Sequence, residues 1–223
     1  MTAPRVPLLP EQVEAAQAIY STYTPSWRRV DAALTALAAT MPDFNADAVL
    51  LKAVVVNSLY GTNVYAIDHT AQHVFHVLDG VELSSAGAEL VEAMATVRLP
   101  EGKTIRYRSF ASKFAHFFID NDRFPIHDSF AAKMLREHLG KDAPTPDSGA
   151  TYMSIEAAFR ALAYSAGLGS DTRGLDRYLW MIGQYRDWTK RPSAQINSEL
   201  RGVFEADPPE LAVSAGPWYR PVA

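Results

Sequence analysis

The chain has 223 residues, 48% of them apolar, no cysteine and a formal net charge of −4 at pH 7. That length and apolar share are enough to bury a core and exclude a disordered chain, and the missing cysteines exclude a disulfide framework, a thiolate zinc site and a thiol nucleophile. The N-terminal MTAPRVPLLPEQ lacks the apolar run of a signal peptide and no segment approaches 18 uncharged apolar residues, so the sequence predicts a soluble cytoplasmic protein.

The pattern is helical nearly throughout. Pro10 suits the first position of a helix over EQVEAAQAIYSTY, and Thr24-Pro25-Ser26 opens a second over WRRVDAALTALAAT. Met41-Pro42 breaks that helix. Asn45 or Asp47 then caps ADAVLLKAVVVNSLY, an apolar helix suited to the core that Gly61 ends. Further helices are expected over Val64–Leu78, closed by Asp79-Gly80, and from about Ser85 to Val97. Leu99-Pro100-Glu101-Gly102 reads as a turn, and the Arg106–Asp120 region follows it. KDAPTPDSGA from Lys141 reads as a loop. Helices over Tyr152–Ala166 and Leu175–Trp188 flank a Gly167–Gly174 turn. The fold class is all-α. One domain over 1–188 is expected, with 189–223 as a partly irregular C-terminal arm that holds a short helix (Ala194–Phe204) and packs aromatics such as Trp218 onto the body.

The chemistry concentrates between Arg98 and Lys141, which carries nine Lys/Arg against five Asp/Glu, a local +4 on a chain whose remainder is −8. Within it, a helix bearing Ser112 and Lys113 leads through Phe124-Pro125-Ile126-His127 to Asp128, placed to cap the next helix. Pro125 keeps the approach to that cap extended. A neutral lysine amine can attack an electrophilic sugar carbon and form a Schiff base, and a carboxylate can stabilise a developing oxocarbenium ion. A solvated lysine and a capping aspartate are the plainer account of the same two residues.

A lysine on one helix, a short loop, a hydrophobic–Pro–hydrophobic step and an aspartate opening the next helix together resemble the helix-hairpin-helix DNA glycosylase superfamily. The nearest likeness is to its 8-oxoguanine glycosylase (OGG)-like fold. YGTN (Tyr60–Asn63), SFASKF (Ser109–Phe114), FPIHDS (Phe124–Ser129) and LDRYLW (Leu175–Trp180) look like the blocks of an uncharacterised bacterial branch with that fold, a likeness covering about residues 50–188. The superfamily's glycine-rich hairpin is absent, its place taken by Arg106-Tyr107-Arg108-Ser109-Phe110-Ala111-Ser112.

The resemblance implies a multi-helix glycosylase-like domain with a helix-hairpin-helix-type corner, Lys113 and Asp128 as catalytic residues, and double-stranded DNA with a damaged or modified base as partner. It implies no cofactor and no metal, and the sequence offers no glycine-rich loop for a nucleotide or flavin. Ser112, His116, His127, Ser129, Arg106, Arg108, Tyr60, Asn63 and Trp180 are the candidate nucleic-acid and substrate contacts. The expected activity is DNA N-glycosylase action, with or without a lyase step through a Schiff base. A helical DNA-binding module without the chemistry and a helical partner-binding protein are the alternatives.

His69, His73 and His76 share one helix face, a spacing that suits packing under a neighbour better than a metal site, which would need ligands from elsewhere. Among Tyr164, Tyr178, Trp180, Tyr185 and Trp188, an aromatic could stack on a flipped base, while at least half must be core. Asn57 and Asn63 could bond a base edge, capping being the simpler account of Asn63.

Overall fold

A computed structural model describes residues 5–144, 150–169 and 172–221. The fold is all-α: its described residues form eleven α-helices and one two-stranded hairpin. α1 (Pro10–Tyr23) starts with proline at its first position, where no backbone donor is needed, and α2 runs Pro25–Thr40. α3 (Ala46–Tyr60) is capped by the Asn45 side chain, which accepts the Ala48 N–H at 2.9 Å, and ends at Gly61 in the left-handed conformation. α4 (Ile67–Leu78) and α5 (Ala88–Ala95) follow.

Next comes a feature absent from the sequence expectations. β1 (Thr96–Arg98) and β2 (Thr104–Arg106) pair antiparallel, with Val97 opposite Ile105 and Arg98 opposite Thr104. The turn expected at Leu99–Gly102 is the hairpin's own, closed by Leu99 and Lys103 backbone bonding at 2.8 Å. The helix expected to reach Val97 therefore stops at Ala95.

Along the chain the FPIH step falls between α6 (Arg108–Phe118) and α7 (Ser129–Leu139), and a short 3₁₀ turn covers Gly140–Asp142. Most of the proline-rich loop, 145–149, lies outside the described residues, as do 170 and 171 of the expected Gly167–Gly174 turn. α8 (Tyr152–Ser165) and α9 (Thr172–Lys190) stand where helices were expected. The C-terminal segment is more regular than expected: α10 (Ser198–Ala206), capped by Asn197, then α11 (Pro209–Ala215) and a 3₁₀ turn over Gly216–Trp218. No helix among the described residues is long and apolar enough to cross a membrane.

The chain divides into two compact units. The first comprises Met1–Arg28, Asp128–Ala150 and Ala157–Ala223; the second comprises Arg29–His127 and Thr151–Glu156. In the first unit α1 packs on α9 and α11, and α7 packs on α9. The α7–α9 crossing is close because residue 183 is glycine: a Cβ there would stand 2.7 Å from that of Phe130. His138, fully buried, ties the N-terminal strand of chain to α7: Nδ1 donates to the Val6 carbonyl at 2.8 Å, while its own carbonyl accepts the Arg5 and Val6 amides. Since a carbonyl can only accept, the proton sits on Nδ1, and Nε2 accepts the Tyr178 hydroxyl at 3.3 Å. Trp218 lies edge-on to the same ring at 4.9 Å, so the C-terminal aromatic does pack inward.

The second unit holds a continuous apolar core from α3, α4, α5 and α6, including Val49, Val56, Val74, Met94, Phe110 and Phe114. Phe110, Phe114 and Phe118 recur every four residues and form one stripe of α6 turned into that core.

Candidate functional site

The site begins with what lies beside that phenylalanine stripe. Ser109, Ser112, Lys113 and His116 occupy the adjacent face of α6, at i, i+3, i+4 and i+7. Polar residues so placed usually face water. Here Ser112 is fully buried, and Lys113 and His116 are only 4% and 2% exposed. Burying polar groups is unfavourable unless each is hydrogen-bonded, so their partners explain the arrangement.

Two of them fasten the extended step between α6 and α7. His116 Nδ1 donates to the Phe124 carbonyl at 3.0 Å, and Ser112 Oγ accepts the His127 N–H at 3.0 Å. Tyr152 completes the set by donating its hydroxyl to the Pro125 carbonyl at 2.7 Å. Proline gives the step no amide at 125, and these side chains satisfy the backbone that no helix or sheet pairs. Ser112 and His116 thus fasten the extended step from Phe124 to His127. Tyr152 had no signal in the sequence, because the contact joins residues 27 apart.

Lys113 does something else. Its Nζ donates to Ser109 Oγ at 2.9 Å, one turn earlier on α6, and stands 5.6 Å from the centre of the Tyr60 ring. Tyr60 ends α3; its ring packs 5.5 Å from Phe117 and its hydroxyl donates to Asp31 Oδ1 at 2.8 Å. A buried primary amine between a hydroxyl and an aromatic face is an arrangement suited to covalent amine chemistry.

The turn after Tyr60 is built by Asn57. Its Oδ1 accepts the Val64 N–H at 3.0 Å and the Thr62 hydroxyl at 2.8 Å, and its Nδ2 donates to the Val64 carbonyl at 3.0 Å. Asn63 is exposed at φ 57°, a conformation asparagine tolerates better than most residues. This turn delays α4 to Ile67, three residues past the expected start. Asn57, considered for a base edge, is committed to the turn.

Cations of the second unit divide by surroundings. Arg108 makes a two-pronged bond to Glu92, Nε at 2.9 Å and NH2 at 2.8 Å, with side chains only 20% and 17% exposed. Glu92 also accepts the Tyr152 N–H at 2.7 Å. Burial works to raise the Glu92 carboxyl, but the bonds from Arg108 and Tyr152 and the charges of Arg108 and Arg106 outweigh it and hold the carboxyl below its ordinary value. Arg106 is different: its side chain is 61% exposed and lies 4.0 Å from Glu92. Arg98 and Lys103 of the same hairpin are also exposed. Arg123 is committed to structure, bonding Asp120 and the Leu83, Ser84 and Ala86 carbonyls.

Asp128, Ser129 and Trp180 belong to the first unit. Asp128 is the N-cap of α7, Oδ1 accepting the Ala131 N–H at 2.8 Å, and Ser129 is exposed at the next position. Trp180 is half-buried and packs edge-on to Trp27 at 5.4 Å, while Tyr178 and Tyr185 are core. In the second unit, His127 is half-buried at the end of the extended step. His69 and His73 bond the Arg98 and Ala93 carbonyls at 2.8 and 2.9 Å, and among the described residues no cluster of histidines and carboxylates could hold a metal.

Sequence reasoning missed a second buried amine. Lys52, only 1% exposed, donates to the Asp43 carbonyl at 2.7 Å and lies 3.9 Å above the Phe44 ring. Burial lowers its pKa, with Asp43 opposing. The available signal was a single lysine inside the apolar run of α3.

Residues 12–123 match a protein family described as HI_0787_N, N-terminal domain. An uncharacterized protein of Haemophilus influenzae is 33% identical over 82 residues, which make up 36% of this chain and 40% of that relative. The matched region thus spans two fifths of the relative's length. No solved structure matches the chain. The family's span takes in Tyr60, the hairpin, Ser109 and Lys113, and ends before His127 and Asp128.

Proposed function

We propose that this chain, which belongs to the HI_0787_N N-terminal domain family, is a DNA N-glycosylase-like enzyme that excises a damaged or modified base and uses the Lys113 amine to form a Schiff base with the sugar. One observation carries the reading: Lys113 is buried within the polar stripe of α6, its Nζ bonded to a hydroxyl and set beside the Tyr60 ring. Its neighbours Ser112 and His116 are committed to backbone, whereas Lys113 is the group on that face with nucleophilic chemistry.

The likeness of the SFASKF and FPIHDS blocks to the OGG-like fold supports the same assignment and gives Asp128 the role of stabilising the oxocarbenium ion. The exposed cations of the hairpin suit a phosphate backbone, where Lys and Arg replace condensed counterions. The extruded nucleotide would be read by stacking and by hydrogen bonds to its edge.

The test is base release from duplexes carrying 8-oxoguanine, uracil, hydroxymethyl-pyrimidine or an abasic site, followed as strand breakage with and without alkali. The expected result is breakage at one modification without alkali, lost in Lys113→Met and restored by alkali only if base removal survives. No base release and no breakage at the abasic site would refute the reading. A helical DNA-binding module without the chemistry is the second reading, favoured by Asp128 serving as a helix cap.

A further inference from the structure

Ser109 opens α6 at its second position, one helical turn before Lys113 and on the same face. The two differ in surroundings: Ser109 is half-buried and Lys113 is buried. Their bond is 2.9 Å, and a serine hydroxyl, unlike a carbonyl, can accept a proton on one lone pair while donating its own.

An amine adding to a carbonyl carbon must shed protons, and inside a protein the group that takes them has to lie within hydrogen-bond reach of the nitrogen and also reach water. Ser109 meets both conditions. Ser112, the other serine of this face, fails the second, being fully buried with its hydroxyl held by the His127 amide.

We propose that Ser109 is the positioning residue of the Lys113 amine, holding Nζ through Oγ and relaying to solvent the proton the amine sheds; this rests on the Schiff-base reading above. The Nζ lone pair forms a bond to the C1′ aldehyde carbon of the opened sugar as the C=O π pair moves to oxygen. The nitrogen passes a proton to Ser109 Oγ, whose own proton goes to water. The oxygen takes one proton from water to give the carbinolamine and a second as the C–O bond breaks, departing as water, while the remaining nitrogen proton passes to solvent. Amine and aldehyde become imine and water, with no change of oxidation state.

The experiment is single-turnover borohydride trapping on an abasic duplex, with the duplex dissociation constant and a thermal melt measured for each variant. Ser109→Ala is expected to trap about tenfold more slowly with affinity within twofold of wild type. Ser109→Thr, which restores a hydroxyl at Cβ, is expected to return the rate to within about threefold of wild type. That combination separates a proton relay from a packing role, which would move stability or affinity instead. Equal trapping rates in wild type and Ser109→Ala overturn the relay alone, as does a threonine variant as slow as alanine. Absence of any adduct in wild type overturns the Schiff-base reading together with the relay.

Discussion

Arg108→Ala tests whether the cation nearest the start of α6 holds the fold. Arg108 donates twice to Glu92, at 2.9 and 2.8 Å, and both side chains are roughly four-fifths shielded from water, at 20% and 17% exposure. Removing one partner of a fully buried pair costs about 3–5 kcal/mol, because it strands the other charge; a fully exposed pair contributes about 1 kcal/mol or less. This pair lies nearer the buried limit. Glu92 would keep the Tyr152 amide at 2.7 Å, which offsets part of the loss. The expected loss is therefore about 2–3 kcal/mol in urea unfolding followed by circular dichroism, with the slope unchanged. Glu92→Gln should cost a similar amount, and the double variant less than the sum, a coupling of about 2 kcal/mol. The acid side follows from the same contacts. The Glu92 carboxyl is held below its ordinary value, so the unfolded chain takes up this proton first. The contribution is fully present above the unfolded value of about 4.3 and is lost as pH falls through the folded value. A loss below about 0.5 kcal/mol in Arg108→Ala, or strict additivity in the cycle, would refute the reasoning.

Other outcomes follow from single contacts. Burial lowers the His138 pKa to about 4, so the unfolded state binds its proton first as pH falls. Stability should drop by on the order of 3 kcal/mol between about pH 6.5 and 4, and urea titrations of His138→Gln across that range should show a flatter loss. Asparagine caps helices as well as aspartate, so Asp128→Asn should melt within about 0.5 kcal/mol of wild type while Asp128→Ala loses about 1 kcal/mol. Base release that survives in a folded Asp128→Asn variant would remove its carboxylate from the chemistry. Replacing Arg98, Lys103 and Arg106 together with serine should lower the slope of log affinity against log salt by roughly 2–3, at about 0.9 per phosphate contact, with the melt unchanged.

What the sequence made legible is what local physics decides. Pro10, Asn45, Gly61 and Asp128 mark helix ends by geometry and capping, and the helices begin or stop there. The hairpin escaped because three-residue strands such as TVR and TIR are too short to display alternation. The late start of α4 depends on Asn57 bonding across seven residues, and the regularity of the C-terminal segment depends on α11 lying against α1. At the candidate site the residue types were visible but their burial was not. Nothing local says that Ser112 and His116 turn inward to hold the backbone at Phe124 and His127, or that Arg108 is committed to Glu92. Lys52 escaped for the converse reason: one polar residue in an apolar helix reads as its solvent side until the fold encloses it.

The most direct test of the central assignment is to find which lysine carries the sugar. Full-length protein is trapped with borohydride on an abasic duplex, digested, and the adduct mapped by mass spectrometry. The account predicts the modification on the peptide containing Lys113, and its loss in Lys113→Met. Modification of Lys52 or of a surface lysine, or no adduct at any lysine, would contradict it.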